Sequence, residues 1–344
     1  MDSQKSKILN LTKGVYDIQK LRIATGNRIV QSFNIQMGQE PSTKQESMNE
    51  DAQKLITVLS KEYKRITDAY INKSFDIIKI ENDKKIVKTI SVSKNAGIER
   101  VINAMTSTSG SDIKYILSKT DYELMATYVD LLETEHRMTR ILTKEVEKHP
   151  MWDAFFKGVK GCGPLMAAVC ISYFDVNQAR HASSFWKYAG LDVVMVADDE
   201  TAEIPTYHGE GRSRVHTEVR EYIDKNGEVK KKKSITFNPE LKTKLIGVLG
   251  PSFIKITGSY YERVYRNYRN RLEHREDLKD LSLKHKHSMA VQYMIKIFIA
   301  DMWATWRKLE GYEVSEPYEV AKLGMKPHKY NEYRERLALN NHML

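Results

Sequence analysis

Apolar residues recur at helical spacing over most of this chain. In residues 8–35 they fall at Leu9, Leu11, Val15, Ile18, Leu21, Ile29, Val30 and Phe33, which predicts helix interrupted around Thr25-Gly26-Asn27. Residues 38–47 are polar and turn-rich and read as a loop. Helical spacing returns over 49–80 through Leu55, Ile56, Leu59, Tyr63, Ile66, Ala69, Tyr70 and Ile71, until Asn82-Asp83 breaks it ahead of a candidate strand at 85–92. A weak helix follows Gly97, and the small residues of 106–111 read as a linker. From Tyr122 to Lys148, Leu124, Tyr128, Leu131, Leu132, Met138, Ile141, Leu142 and Val146 are set among charges, predicting a long amphipathic helix. Its apolar stripe suits a coiled coil or a partner helix of the same chain, and His149-Pro150 ends it.

The pattern changes beyond that point. An apolar helix ends at Gly158, a turn runs through Gly161 and Gly163, and Pro164 opens a second helix, its fixed φ suiting the first helical position. A short helix over 183–189 closes at Gly190, and 193–196 is a run of β character. Residues 214–237 alternate through Val215, Thr217 and Val219, turn at Asp224-Lys225-Asn226-Gly227 and return through Ile235-Thr236-Phe237, which predicts a β-hairpin. Helices resume from Asn238, through the basic and aromatic stretch 260–275 and an apolar helix over 288–309. The fold class is therefore mainly α, with an inserted basic β-hairpin. The expected domains are a helical N-terminal domain over 1–110, a linking helix over 111–150, a helix-hairpin-helix domain over 151–315 and a charged tail over 316–344.

Composition narrows the partners. The 344 residues are 41% hydrophobic, and no apolar run approaches the ~20 residues that span a membrane. No membrane partner and a cytoplasmic, nucleoid-associated location are expected. Two cysteines, Cys162 and Cys170, make neither a disulfide framework nor a zinc set and read as buried thiols. A formal charge of +10 favours a polyanionic partner.

The Gly158–Pro164 segment gives that partner a chemistry. Two glycines admit close backbone approach, and N–H groups at a helix start with no intrahelical acceptor form an anion site. Lys157, Lys160, Gly161 and Gly163 are the candidates there, for contacts that hold a nucleic-acid backbone without reading sequence. Lys230, Lys231, Lys232 and Lys233 on the returning hairpin arm suit a phosphate-tracking ribbon, or equally a solvated edge strand guarded by lysines. Arg263 and Arg266 lie one turn apart on a helix whose tyrosines face the core. Lys284-His285-Lys286-His287 lacks the further ligands zinc requires and reads as a basic helix start. No metal ligands are assigned. Catalytic signatures are thin: there is no P-loop, H-E-x-x-H or G-x-S-x-G, and Asp76 is a faint acid candidate. No cofactor is expected, with Mg²⁺ required only if a nuclease site exists.

The order of a long charged helix, Gly158-Val159-Lys160-Gly161-Cys162-Gly163-Pro164 with Ala167-Ala168 beyond, then Phe185-Trp186-Lys187-Tyr188-Ala189-Gly190-Leu191, resembles a known family. It is similar to the C-terminal domain of the DEDD-type insertion-sequence transposases, the IS-one-ten or bridge-recombinase family. Residues 122–309 carry the likeness. Lys187, Arg212 and Arg214 are further candidate nucleic-acid contacts, and the resemblance implies a nucleophilic serine after the Tyr-Ala-Gly-Leu turn. In this chain the matching loop reads Tyr207-His208-Gly209-Glu210-Gly211-Arg212-Ser213-Arg214, leaving Ser213 as the candidate, and the hairpin at 214–237 is an insertion relative to the family. Nothing in 1–120 reproduces the acids of the family's RuvC-like domain. The expected function is that of a transposase-related DNA-binding protein, homo-oligomeric, acting on mobile-element, phage or plasmid DNA. An active recombinase using Ser213 and an RNA-binding or assembly protein are the alternatives.

Overall fold

The computed structural model describes residues 3–36, 40, 50, 53, 74–81, 84–91, 119–198 and 206–315. They are mainly helical and fall into two units, Met1–Glu145 and Val146–Leu344. Predicted features at 38–47, most of 49–73, the helix after Gly97, the 106–111 linker and the tail lie outside the described residues.

The first unit contains helix α1 (Ser3–Gln36), strands β1 (Ser74–Glu81) and β2 (Lys84–Ser91), and most of helix α2 (Lys119–Glu147). α1 buries Ile8, Val15, Arg22 and Ile29, one residue in every seven, and α2 buries Tyr128, Glu135 and Leu142 at the same interval. That repeat is the seam of a helix pair. The pair is antiparallel, because a Cβ on Gly14 would lie 2.6 Å from Met138 while one on Gly26 would lie 3.2 Å from Tyr128. The predicted break at Gly26 is therefore corrected: α1 runs through it, and the missing side chain admits the Tyr128 ring. Arg22 Nε donates to Glu135 Oε2 at 2.6 Å, joined by Gln19 Nε2 to Oε1 at 3.1 Å, so the seam carries one buried polar layer. The expected helix over 49–80 is also corrected at its end, where β1 pairs antiparallel with β2 and Asp76 stands opposite Thr89. Phe75-Asp76-Ile77-Ile78-Lys79-Ile80 is rich in β-branched residues, and pairing with a second such run outweighs its helical spacing.

The second unit is built on a long apolar helix. Its elements are α3 (Pro150–Ala154), a 3₁₀ turn (Phe156–Gly158), α4 (Pro164–Tyr173), α5 (Ala182–Tyr188), β3 (Val193–Ala197), β4 (Tyr207–Gly211), β5 (Thr217–Ile223), β6 (Val229–Ile235), α6 (Pro239–Lys244), α7 (Gly250–Lys255), α8 (Tyr260–Glu273) and α9 (Leu283–Leu309). α9 begins at the Lys-His-Lys-His run, with Ser282 Oγ accepting from His285 N–H as its cap, and ends two turns past Trp303. The Phe298 ring meets Phe155 at 5.6 Å, Phe253 at 5.3 Å and Tyr261 at 5.5 Å, so α9 gathers α3, α7 and α8 around one aromatic centre. The indole of Trp303 donates to Ala179 O at 2.8 Å and that of Trp186 to Lys296 O at 3.0 Å, tying the segments after α4 to the same helix. Between α6 and α7 a π-turn (Leu245–Leu249) widens the helix, because Pro251 brings no N–H and its ring needs room.

Candidate nucleic-acid interface

The second arm of the expected hairpin starts where the sequence places it, at Pro164, but the first is not a single helix running to Gly158: α3 stops at Ala154 and a 3₁₀ turn covers Phe156–Gly158. His149 caps α3, its Nδ1 accepting from Met151 N–H at 3.2 Å, and Phe155 and Phe156 bury the end of that arm. Gly163, extended at φ −73° and ψ 172°, is the N-cap of α4 and Pro164 its first residue. α4 is then buried from Met166 to Ser172, fixing its start against the core. Among the described residues, the N–H groups of Lys160, Gly161, Gly163 and Leu165 find no acceptor, and no side chain caps the helix. Lys157 and Lys160, in the segment just before this opening, are exposed, Lys157 with Asp153 3.2 Å away.

The two glycines do different things. Gly161 holds φ +96°, and a Cβ there would lie 2.9 Å from Phe253 and 3.2 Å from Ile256; its carbonyl accepts from Ser252 Oγ at 2.7 Å. Its role is to let the turn lie against α7. Gly163 has an ordinary φ, is exposed, and a Cβ on it would meet nothing within 4 Å. Of the two, Gly163 is the position where an outside group can reach backbone. Cys162 and Cys170 are buried, and burial pushes both thiols up from their ordinary range, which makes them inert packing groups.

Downstream, α5 ends in a Schellman turn: Gly190 adopts φ +69° and Leu191 N–H donates to Trp186 O at 2.8 Å. Lys187 is exposed on its last turn. Most of the loop expected to hold the serine, Tyr207–Gly211, is a strand, β4, which pairs antiparallel with β3 so that Met195 faces Gly209 and Val196 faces His208, while Ser213 lies in the turn beyond it. Arg212 is not presented to solvent. Its guanidinium bonds both oxygens of Asp192, at 2.7 and 2.8 Å, and reaches Thr236 beyond β6, while its carbonyl accepts from Lys242 Nζ at 2.6 Å. Its place is the root of the β5–β6 ribbon rather than a phosphate contact. Arg214 is exposed beside it.

Ser213 lies in a chain of polar groups that sequence reasoning missed. Its N–H donates to His216 Nδ1 at 3.0 Å, and its Oγ lies 3.2 Å from the same nitrogen. Since Nδ1 accepts, the ring proton of His216 belongs on Nε2, 3.6 Å from Glu210 Oε2. Glu210 Oε1 is 3.0 Å from His208 Nε2, and His208 Nδ1 is 2.5 Å from Asp198 Oδ1. Glu210 and then Asp198 hold the His208 imidazole above its usual value, while Thr206 and His208 hold Asp198 below its own. The x-His-x-Glu alternation of β4, one face of a strand, was the available signal. Among the described residues, no group of three or more His, Cys, Asp or Glu side chains is arranged to hold a metal ion.

Lys230–Lys233 all stand exposed on β6. On α8, Arg263 and Arg266 are exposed, and Arg266 bonds the buried Glu262 one turn back. Tyr261 and Tyr265 face the core as the sequence implies; Tyr265 Oη lies 2.7 Å from His287 Nδ1 and accepts from Arg269 at 2.9 Å. Among the described residues, no helix is long and apolar enough to cross a membrane. Comparison with protein-family models, with curated proteins and with solved structures returns no match.

Proposed function

We propose that this chain is a DNA-binding protein related to insertion-sequence transposases, which holds the nucleic-acid backbone at the Gly158–Pro164 hairpin and acts without cutting strands itself. The observation that carries the reading is the uncapped start of α4, with free N–H groups at Gly163 and Leu165 and the exposed Lys157 and Lys160 in the segment just before it. Such a start attracts an anion through both its dipole and its unmet donors. A net charge of +10 adds long-range attraction to a polyanion. The test is titration of full-length protein onto a mixed-sequence duplex at several salt concentrations. Lys160→Gln lowers affinity alike on every sequence and makes the log-log salt slope shallower by about 0.9. An unchanged affinity and slope would sink the reading.

One observation favours a second reading, an active recombinase. Ser213 Oγ faces the acceptor nitrogen of His216, whose other nitrogen faces Glu210, the arrangement that activates a hydroxyl. In that case Ser213 passes its proton to His216, its oxygen bonds phosphorus, and the sugar oxygen leaves with the proton. A denaturant-resistant protein–DNA adduct that disappears in Ser213→Ala decides for it; the first reading expects no adduct.

A further inference from the structure

The β5–β6 ribbon stands apart from the core of its unit. Every residue of β5 and all of β6 except Ser234 is exposed. A lone two-stranded hairpin is marginal in water, so a ribbon bare on both faces calls for a partner. Its register sorts the side chains. One face carries Glu218, Arg220 and Tyr222 opposite Ser234, Lys232 and Lys230; the other carries Thr217, Val219, Glu221 and Ile223 opposite Ile235, Lys233, Lys231 and Val229.

The two faces are not equivalent. On the second, Glu221 meets Lys231 at 3.4 Å and Ile223 meets Val229, complementary pairs that stabilise a ladder. On the first, Arg220 stands directly opposite Lys232, like charges that destabilise it. Near the tip, Asp224 takes Lys230 and its Oδ1 accepts from Asn226 and Glu228 N–H, which leaves the surplus charge of this face mid-ribbon at Arg220 and Lys232, whereas the other face has Lys233 alone without an ion pair among the described residues. Arg220 leans on Glu218, whereas Lys232 has no ion-pair partner among the described residues. Tyr222 lies next to them, an exposed ring on the cationic face.

Shape selects the partner. Two strands about 4.8 Å apart, each about 23 Å long, form a ribbon of the size that a major groove about 12 Å wide admits. At its root, Arg212 bridges Asp192 ahead of β3 to Thr236 after β6, and Thr236 Oγ1 donates to His216 O at 3.2 Å, so the ribbon leaves the unit from a braced base. We propose that the Arg220–Tyr222–Lys232 face of this ribbon enters the major groove of duplex DNA. This rests on the DNA-binding reading and adds its substrate form: duplex, gripped at the backbone by the hairpin and entered in the groove by the ribbon.

The experiment compares full-length protein on two duplexes of one sequence, one with ordinary cytosine and one with glucosylated 5-hydroxymethylcytosine, whose sugars fill the major groove. Wild type is expected to bind the glucosylated duplex about tenfold more weakly. Arg220→Ser/Lys232→Ser should bind the ordinary duplex at that reduced level and be indifferent to the sugars, with its melting temperature unchanged because both sites are exposed. Lys231→Ser, on the other face, keeps the discrimination. Protection of guanine N7 from methylation should appear with wild type and vanish with the double variant. Equal wild-type affinity for both duplexes, a double variant still sensitive to glucosylation, or tighter ribbon-dependent binding to the single strand overturns the inference while leaving the hairpin reading intact. Absence of binding to any DNA defeats the hairpin reading itself.

Discussion

Replacing Gly163 with serine should move stability and DNA affinity in opposite directions. At φ −73° and ψ 172° the residue already has the conformation of an N-cap, and its Cβ position is open. Serine there supplies the cap oxygen that α4 lacks, worth a few tenths of a kcal/mol over glycine. Restricting the unfolded chain adds roughly 0.4–1 kcal/mol. Together these raise the melting temperature by about 1–4 °C for a unit of this size. The same oxygen accepts from Leu165 N–H and fills the space a phosphate would occupy, removing a charge-assisted hydrogen bond of about 1.5–3 kcal/mol. Affinity therefore falls roughly 10- to 100-fold. Gly161→Ala is the control with the opposite logic: φ +96° and contacts of 2.9 and 3.2 Å to Phe253 and Ile256 make it a stability defect of about 2–3 kcal/mol. Thermal melting and fluorescence anisotropy on a mixed-sequence duplex read both quantities. A Gly163→Ser protein that melts higher yet binds within twofold of wild type refutes the proposed phosphate site.

Two further predictions concern buried charges. Asp301 is sealed inside the second unit with Tyr261 Oη donating to it at 3.0 Å, and burial holds its carboxyl well above the usual range. A raised folded value means that its contribution is complete below the unfolded pKa and is lost as pH rises through the folded one. Asp301→Asn keeps the acceptor without the ionisation, so urea midpoints should match wild type in acid and exceed it increasingly as pH rises; parallel pH curves would show that the carboxyl carries no such cost. In the first unit, Arg22→Leu leaves Glu135 charged and buried, at a cost of about 3 kcal/mol, whereas Arg22→Leu/Glu135→Leu should recover most of it. Additive losses in urea unfolding would mean that the two residues act independently of their pairing.

Features that rest on local chemistry were legible in the sequence. The Asn-Gly turn of the ribbon, the Gly190 helix stop, the Gly163-Pro164 helix start and the long α2 each depend on residues within a few positions of one another. The misreadings share a distant partner. Gly26 breaks a helix on propensity, but Tyr128 a hundred residues away occupies the space it leaves. β4 carries two glycines and forms because β3 offers it a ladder. Arg212 stands in the sequence as a candidate nucleic-acid contact, and Asp192, twenty positions earlier, claims it. The Asp198–His208–Glu210–His216–Ser213 chain was hidden for the same reason, since its members come together only once β4 lies beside β3 and the chain turns at Ser213.

These partners also decide how much of the basic character can meet phosphate. A cation whose carboxylate lies within bonding distance brings a compensating negative charge to the DNA. Of the eleven cations singled out in the sequence, Lys157, Arg212, Lys230, Lys231 and Arg266 stand beside Asp153, Asp192, Asp224, Glu221 and Glu262. Arg263 adds to the field that keeps Glu262 ionised. Lys160, Lys187, Arg214, Lys232 and Lys233 have no ion pair among the described residues. At about 0.9 released counterion per neutralised phosphate, eleven free cations correspond to a salt slope near −10, and these five to one near −4.5. Under the proposed DNA-binding function, the smaller figure implies a grip that depends as much on hairpin backbone N–H groups and groove fit as on charge. That is why affinity should respond to Gly163, which carries no charge, as strongly as to any single lysine.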